Sequence, residues 1–188
     1  MEKPIEFDDK DLIRRMASRD ARALDAFYDR YNRVAFTLVL RIVRVREDAE
    51  DVLSEVFWQA WQQAGRYDGS RGKPIAWLLT IARTRAIDYL RSTSTRGKEA
   101  SLPKDIPSAP VERSADPFVL AGLRREVAKC LQALPEAQRA ALEMAYFEGM
   151  SQTEIAKALA QPLGTMKDRI RNGMIHLRKC LKPYEAAI

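Results

Sequence analysis

One histidine and two cysteines in 188 residues leave little with which to build a metal centre or a thiol–imidazole pair. His176 stands alone, and Cys130 and Cys180 are too few and too far apart along the chain for a disulfide framework or a zinc site. The two cysteines therefore read as core or half-buried thiols, reduced as cytosolic thiols normally are, with a redox switch as the alternative. Long apolar runs are also missing. The longest, 34–40, is interrupted by Thr37 and closed by Arg41, against the ~20 apolar residues a membrane span needs. The first ten residues are acidic and lack the basic-then-apolar order of a secretory signal. No histidine, nucleophile or ligand cluster accompanies the carboxylates, so no catalytic set assembles. These absences point to a cytoplasmic, non-enzymatic chain that needs no metal or cofactor and does not insert into a membrane.

What is present is mostly helix, with 46% hydrophobic and 31% charged residues, a balance that suits a folded protein. Over 21–43, Leu24, Phe27, Tyr28, Tyr31, Val34, Ala35 and Leu38 recur at the three-and-four spacing of a buried helical face. Over 47–63, Val52, Val56, Phe57, Ala60 and Trp61 carry the same spacing. The segment 65–72 has three glycines and an Asp-Gly pair, which mark a surface loop. Pro74 follows where a first helical turn tolerates it, and the next helix runs through Trp77, Leu78, Ile81, Ala82, Ala86 and Leu90 to about Arg91. From 92 to 117 the periodicity lapses and four prolines appear (Pro103, Pro107, Pro110, Pro117), as in an extended linker. Helical signals resume at Phe118, and Pro135 starts a further helix that ends near Phe147. The fold class is therefore all-α: two small helical domains, 10–91 and 118–182, joined by a flexible linker over 92–117.

Net charge is +6, but its distribution says more. The stretch 47–55 holds five acids and no base, whereas 162–182 holds six bases against Asp168 alone. Such a chain suits both a polyanion and a basic partner. Ser151-Gln-Thr-Glu154 is a capping-box sequence, predicting a short helix over 153–159 with Ile155, Ala156 and Leu159 inward. A tight turn over 160–164 follows, and a second, basic helix starts near Thr165. This is the layout of a helix-turn-helix, whose second helix enters the DNA major groove. In that helix Met166, Ile170, Met174 and Leu177 should pack inward, with Lys167, Asp168, Arg171 and Asn172 facing outward to bases and phosphates. An ordinary amphipathic hairpin with a solvated basic side explains the charge but not the capping box, the small Ala156 where a second helix can cross closely, and the turn together.

Two further elements are less specific. The stretch 65–91 interleaves six bases with Tyr67, Trp77 and Tyr89, a mixture that suits single-stranded nucleic acid because rings stack on unpaired bases. Taken alone, Trp77 at helical spacing reads as core. Asp48, Asp51 and Glu55 form an acidic stripe that a solvated helix face would also explain.

Together these motifs resemble a family. Asp48-Ala-Glu-Asp-Val-Leu-Ser-Glu-Val-Phe-Trp-Gln-Ala-Trp61 is similar to region 2.2 of the extracytoplasmic-function (ECF) RNA polymerase sigma factors, within the sigma-70 family. Trp77-Leu-Leu-Thr-Ile-Ala-Arg-Thr-Arg-Ala-Ile-Asp-Tyr-Leu-Arg91 resembles their region 2.3–2.4 helix. Leu134-Pro-Glu-Ala-Gln-Arg139, Tyr146-Phe-Glu-Gly-Met-Ser-Gln-Thr-Glu-Ile-Ala156 and Gly164-Thr-Met-Lys-Asp-Arg169 resemble region 4. The resemblance implies a subunit that binds core RNA polymerase (β′ clamp and β flap) and promoter DNA, and that an anti-sigma factor controls. It implies that Asp48, Asp51, Glu55 and Phe57 dock on polymerase. It assigns the minus-ten element to Tyr67, Lys73, Trp77, Arg83, Thr84 and Asp88, and the minus-thirty-five element to Thr165, Lys167, Asp168, Arg169, Arg171 and Asn172. Two departures stand out: Asp168 replaces the family's usual serine, and Asn172-Gly173 stands where an Arg-Ala pair is frequent. Thr84 also stands where asparagine is usual. A conventional regulator, with a helix-turn-helix on a ligand-binding or dimerisation domain, is the chief alternative, and a helical interaction module the next. Both leave one or other charged element unexplained.

Overall fold

The computed structural model describes residues 8–95 and 117–184, and among these every regular element is helical. Residues group into two compact units, Met1–Val111 and Glu112–Ile188.

The first unit packs four helices, α1 (Asp9–Ala17), α2 (Ala21–Val43), α3 (Arg46–Gln63) and α4 (Pro74–Thr95). Helix α2 is its spine. Ala23, Phe27, Tyr31, Ala35, Val39 and Ile42 are buried along one face, each within 9% exposure, the repeat of an amphipathic helix. Burying a side chain as large as Phe27 contributes about 1.5–3 kcal/mol, and truncating it to Ala would cost about 3–5 kcal/mol. Of the expected face, Phe27, Tyr31 and Ala35 are buried and Leu24, Val34 and Leu38 half-buried, whereas Tyr28 is 40% exposed and Ala23 is buried in addition.

Polar contacts fix where α2 begins and how α1 lies on it. Asp20 accepts the backbone N–H of Arg22 at 3.0 Å, an N-cap. The same carboxylate takes both Arg15 donors, Nε at 2.9 Å and Nη2 at 2.6 Å. From α1, Asp9 accepts from the Arg30 guanidinium and the Tyr31 hydroxyl. Burial, then the Asp9 carboxylate, pushes the Tyr31 phenol far above its ordinary range, so it stays a donor. Arg44, in a left-handed conformation (φ 69°), ends α2 and turns the chain into α3. Helix α4 continues to Thr95, beyond the break expected at 91, with Ser92 and Thr93 hydroxyls donating back to the Tyr89 and Leu90 carbonyls. The expected linker otherwise lies outside the described residues.

The second unit holds α5 (Pro117–Gln132), α6 (Glu136–Tyr146), α7 (Gln152–Ala158) and α8 (Leu163–Leu181). One buried cluster holds Ala141, Ile155, Ala156 and Met166, with Met144, Ala145, Met150, Leu159 and Ile170 against it, and Cys130, Leu134 and Leu142 are buried as well. A covalent tie supplements that core. Cys130 on α5 and Cys180 on α8 form a disulfide across 50 residues of sequence, with Cα atoms 6.0 Å apart. This corrects the reading of two separate thiols. Distance along the chain is no guide here, because α5 and α8 pack together and bring the two positions within bridging range.

Gly173 marks another close approach. A Cβ there would lie 2.7 Å from Leu142 Cδ1 and 3.3 Å from Leu142 Cγ. The glycine thus lets α8 cross α6, and its departure from the family pattern has a packing cause.

Candidate polymerase and promoter interfaces

Three chemically different surfaces emerge. The first is the outer face of α3. Val52, Val56, Phe57 and Ala60 point into the unit and are at most 5% exposed. Phe57, expected on the docking surface, is therefore a core residue: its ring lies 4.7 Å from that of Tyr28 and 6.3 Å from that of Phe27. Asp51 and Glu55 are exposed and Asp48 half-buried. At 100° per residue, positions 51, 55, 58 and 62 share one stripe, and Trp58 occupies its centre at 64% exposure. Trp58 was not singled out from sequence, although its angle around the helix, which groups it with Asp51 and Glu55, was the available signal.

The second surface lies where α3 meets α4. A 3-10 turn at Ala64–Arg66 leads into the loop. There Asp68 accepts the Ser70 N–H at 2.9 Å and its hydroxyl at 2.7 Å, and these bonds hold its carboxyl below the usual range. The Tyr67 hydroxyl donates to the Gly72 carbonyl at 2.7 Å, closing the loop on itself. Gly72 has φ 151°, a conformation that side chains rarely adopt. Tyr67 meets Trp77 edge to face, ring centres 5.5 Å apart. Around this pair is an open cleft of about 360 Å³, lined also by Gln63, Arg66, Asp68, Arg71 and Thr80.

Trp77 is half-buried, so it supports the loop and lines the cleft at once. Lys73 is exposed at the loop's end, and exposed Thr84 and Asp88 continue the Trp77–Thr80 stripe along α4. Thr84 Oγ1 donates to the Thr80 carbonyl at 2.9 Å. Arg83 is half-buried and lies off that stripe, while Arg85 donates to Gln59 and ties α4 to α3. Gln63, Arg66, Arg71 and Thr80 were not singled out from sequence, although Arg66 and Arg71 contributed to its basic count.

The third surface is the outer face of α8. Ser151 Oγ accepts the Glu154 N–H at 3.2 Å and the Glu154 carboxylate accepts the Ser151 N–H at 2.6 Å, completing the expected capping box. Ala160 (φ 49°) makes the turn, and the Gln161 N–H closes it on the Ala156 carbonyl at 2.9 Å. Helix α8 begins at Leu163, two residues earlier than expected, because Pro162 serves as its N-cap. Lys167, Asp168, Arg171 and Asn172 are exposed together; Thr165 and Arg169 are half-buried at the edge of that face. Met174, expected inside, is 50% exposed. The inward stripe runs Met166, Ile170, Gly173, Leu177, which turns Met174 towards solvent.

No described helix is long and apolar enough to cross a membrane, and no group of three or more metal-ligating side chains occurs among the described residues.

Comparison with known proteins gives the family. Residues 27–96 match the family model Sigma-70 region 2, and residues 124–177 match Sigma-70, region 4. The chain is 40% identical over 174 residues to the ECF RNA polymerase sigma factor SigK of Mycolicibacterium vanbaalenii, covering 90% of this chain and 87% of that one. It is 34% identical over 173 residues to SigK of Mycobacterium tuberculosis, covering 90% and 91%. Among solved structures it is similar to SigE of Rhodobacter sphaeroides in complex with the anti-sigma ChrR. That match has 30% identity, covers 92% of this chain and 97% of that one, and has a TM-score of 0.46. With both regions present in order and relatives matched over nearly their full length, the chain belongs to the extracytoplasmic-function RNA polymerase sigma factors, the subunits that give polymerase its promoter specificity.

Proposed function

We propose that this sigma factor divides its work among the three surfaces. The acidic face of α3, with Asp48, Asp51 and Glu55, docks on a basic element of core polymerase, the β′ clamp coiled coil expected of the family. The region 10–91 captures unpaired bases of the minus-ten element. Tyr67, Trp77 and the cleft beside them receive a base turned out of the stack, while Lys73 and Arg83 follow the backbone. Thr84 and Asp88 extend the same track. The region 118–182 reads the minus-thirty-five element as duplex, through Thr165, Lys167, Asp168, Arg169, Arg171 and Asn172. The segment between α4 and α5 lets both regions engage one promoter. The chain acts in the cytoplasm, where an anti-sigma factor that covers these surfaces holds it inactive.

The observation that carries the reading is the exposed cluster Lys167, Asp168, Arg171 and Asn172 on the second helix of a capped helix-turn-helix. Phosphate contacts supply affinity and base-edge contacts supply discrimination. Each good bidentate pair is worth ~1–3 kcal/mol against a wrong base. A carboxylate such as Asp168 accepts from the cytosine amino group, and asparagine suits adenine. One such module binds modestly, so tethering two to polymerase raises the effective concentration of each.

The test is a gel-shift titration of promoter fragments with the chain alone, with core polymerase, and with the Asp168→Ser variant. Tight binding should need core polymerase, and the variant should change the preferred minus-thirty-five sequence. Unchanged preference would remove Asp168 from base reading, and tight binding of a palindrome without core polymerase would favour the conventional regulator.

A further inference from the structure

The three tryptophans of the first unit have different surroundings. Trp61 has the Arg19 guanidinium 5.4 Å from its ring centre, and Trp77 has Tyr67. Among the described residues Trp58 alone of the three has neither a ring nor a cation partner, and at 64% it is the most exposed of the large apolar side chains. Its neighbour Phe57 takes the packing role at this point of α3, so Trp58 contributes little burial to the fold. An indole held in water by a rigid helix is a latent anchor, since tryptophan is enriched among residues that dominate interface energies.

What surrounds it identifies the occupant. On the α3 stripe Glu55 lies three residues and Asp51 seven residues before Trp58, about one and two turns towards the N-terminus, with Asp48 and Glu47 about one turn beyond Asp51. The opposite-charged group that gains from both carboxylates and an aromatic face is a guanidinium. It is planar, can bond a carboxylate in bidentate fashion and stacks on a ring, whereas an ammonium does not combine these.

We propose that Trp58 is the apolar anchor of the α3 docking face and receives an arginine of the basic polymerase helix, which stacks on the indole while bonding Asp51 or Glu55. This rests on the reading of α3 as the polymerase-docking face. The carboxylates supply long-range attraction, and the stack supplies the short-range contact that slows dissociation.

The test is the affinity of the full chain, labelled at its N-terminus, for bacterial core polymerase by fluorescence anisotropy. Variants are Trp58→Ala, Trp58→Phe, Trp58→Leu and the double reversal Asp51→Lys with Glu55→Lys, each checked for unchanged helicity. We expect Trp58→Ala to weaken binding about tenfold or more. Trp58→Phe should keep most of the affinity, and Trp58→Leu should resemble Ala despite its apolar bulk. If the double reversal abolishes binding while Trp58→Ala binds like the parent, the anchor is refuted and the docking face stands. If neither change matters, the docking reading itself fails. Equal binding by the Leu variant refutes the arginine stack. If sedimentation shows a parent dimer that Trp58→Ala dissociates with core affinity intact, the face belongs to a second copy and the proposal falls.

Discussion

Cutting the Cys130–Cys180 bridge should unfold one half of the molecule at a lower temperature and leave the other half unchanged. The bridge spans 50 residues of sequence. For a loop of about 50 residues the chain-entropy relation gives about 14 cal/mol/K, or ~4 kcal/mol at 25 °C. A unit of this size is stable by roughly 4–12 kcal/mol in total, so the bridge is a large share of what holds α5 to α8. The corresponding shift in midpoint for a small domain is roughly 15–30 °C. Cys180→Ser is the better variant, because Cys180 is half-buried whereas Cys130 is 2% exposed and sits in the core.

The molecule supplies its own control. Trp58, Trp61 and Trp77 all fall in the first unit, so tryptophan fluorescence follows that unit alone while circular dichroism follows both. In the variant, or in the parent with reductant, part of the dichroism transition should move down and the fluorescence transition should stay. Identical dichroism melts with and without reductant would show that the bridge does not stabilise the second unit. A fluorescence transition that moved with it would refute the assignment of the effect to that unit.

Three other outcomes follow from particular contacts. Ser151→Ala removes the side chain that accepts the Glu154 N–H and should cost about 1 kcal/mol, read as a lower urea midpoint by circular dichroism. Gly173→Ala sets helix propensity, a gain of about 1 kcal/mol, against overpacking on Leu142 that costs about 1–3 kcal/mol. The clash should win in the parent, and the double variant Gly173→Ala with Leu142→Ala should lose less than the sum of the two single changes. For Asp20, the Arg15 hydrogen bond holds the carboxyl below its ordinary 3.8. A lowered folded-state value means stability that is present above 3.8 and lost as pH falls through the folded value. Asp20→Asn should therefore lower the first unit's urea midpoint at neutral pH, and the difference should shrink towards zero in acid when followed by tryptophan fluorescence.

How much of this was legible in the sequence depended on whether the signal was local. The capping box at Ser151 and Glu154, the loop after Gly65 and the start of α6 at Pro135 are set by neighbouring residues, and each was found where expected. Facing was less secure. Phe57 and Trp58 are adjacent and both aromatic, but only their angle around α3 separates core from surface. Met174 was misplaced for the same reason, since Gly173 rather than a bulkier residue occupies the crossing with α6. Pairing across the chain was not legible at all. Nothing local to Cys130 or Cys180 reveals that α5 and α8 bring them together, and nothing local to Gln63 reveals that it lines a cleft with Trp77.

The most direct test of the whole account is run-off transcription by purified bacterial core polymerase on a pool of genomic promoter fragments, with and without this chain. Transcripts should appear only when the chain is present and vanish when the charges of Asp48, Asp51 and Glu55 are reversed. A chain that does not bind core polymerase, adds no transcript and yet binds specific DNA alone would contradict it.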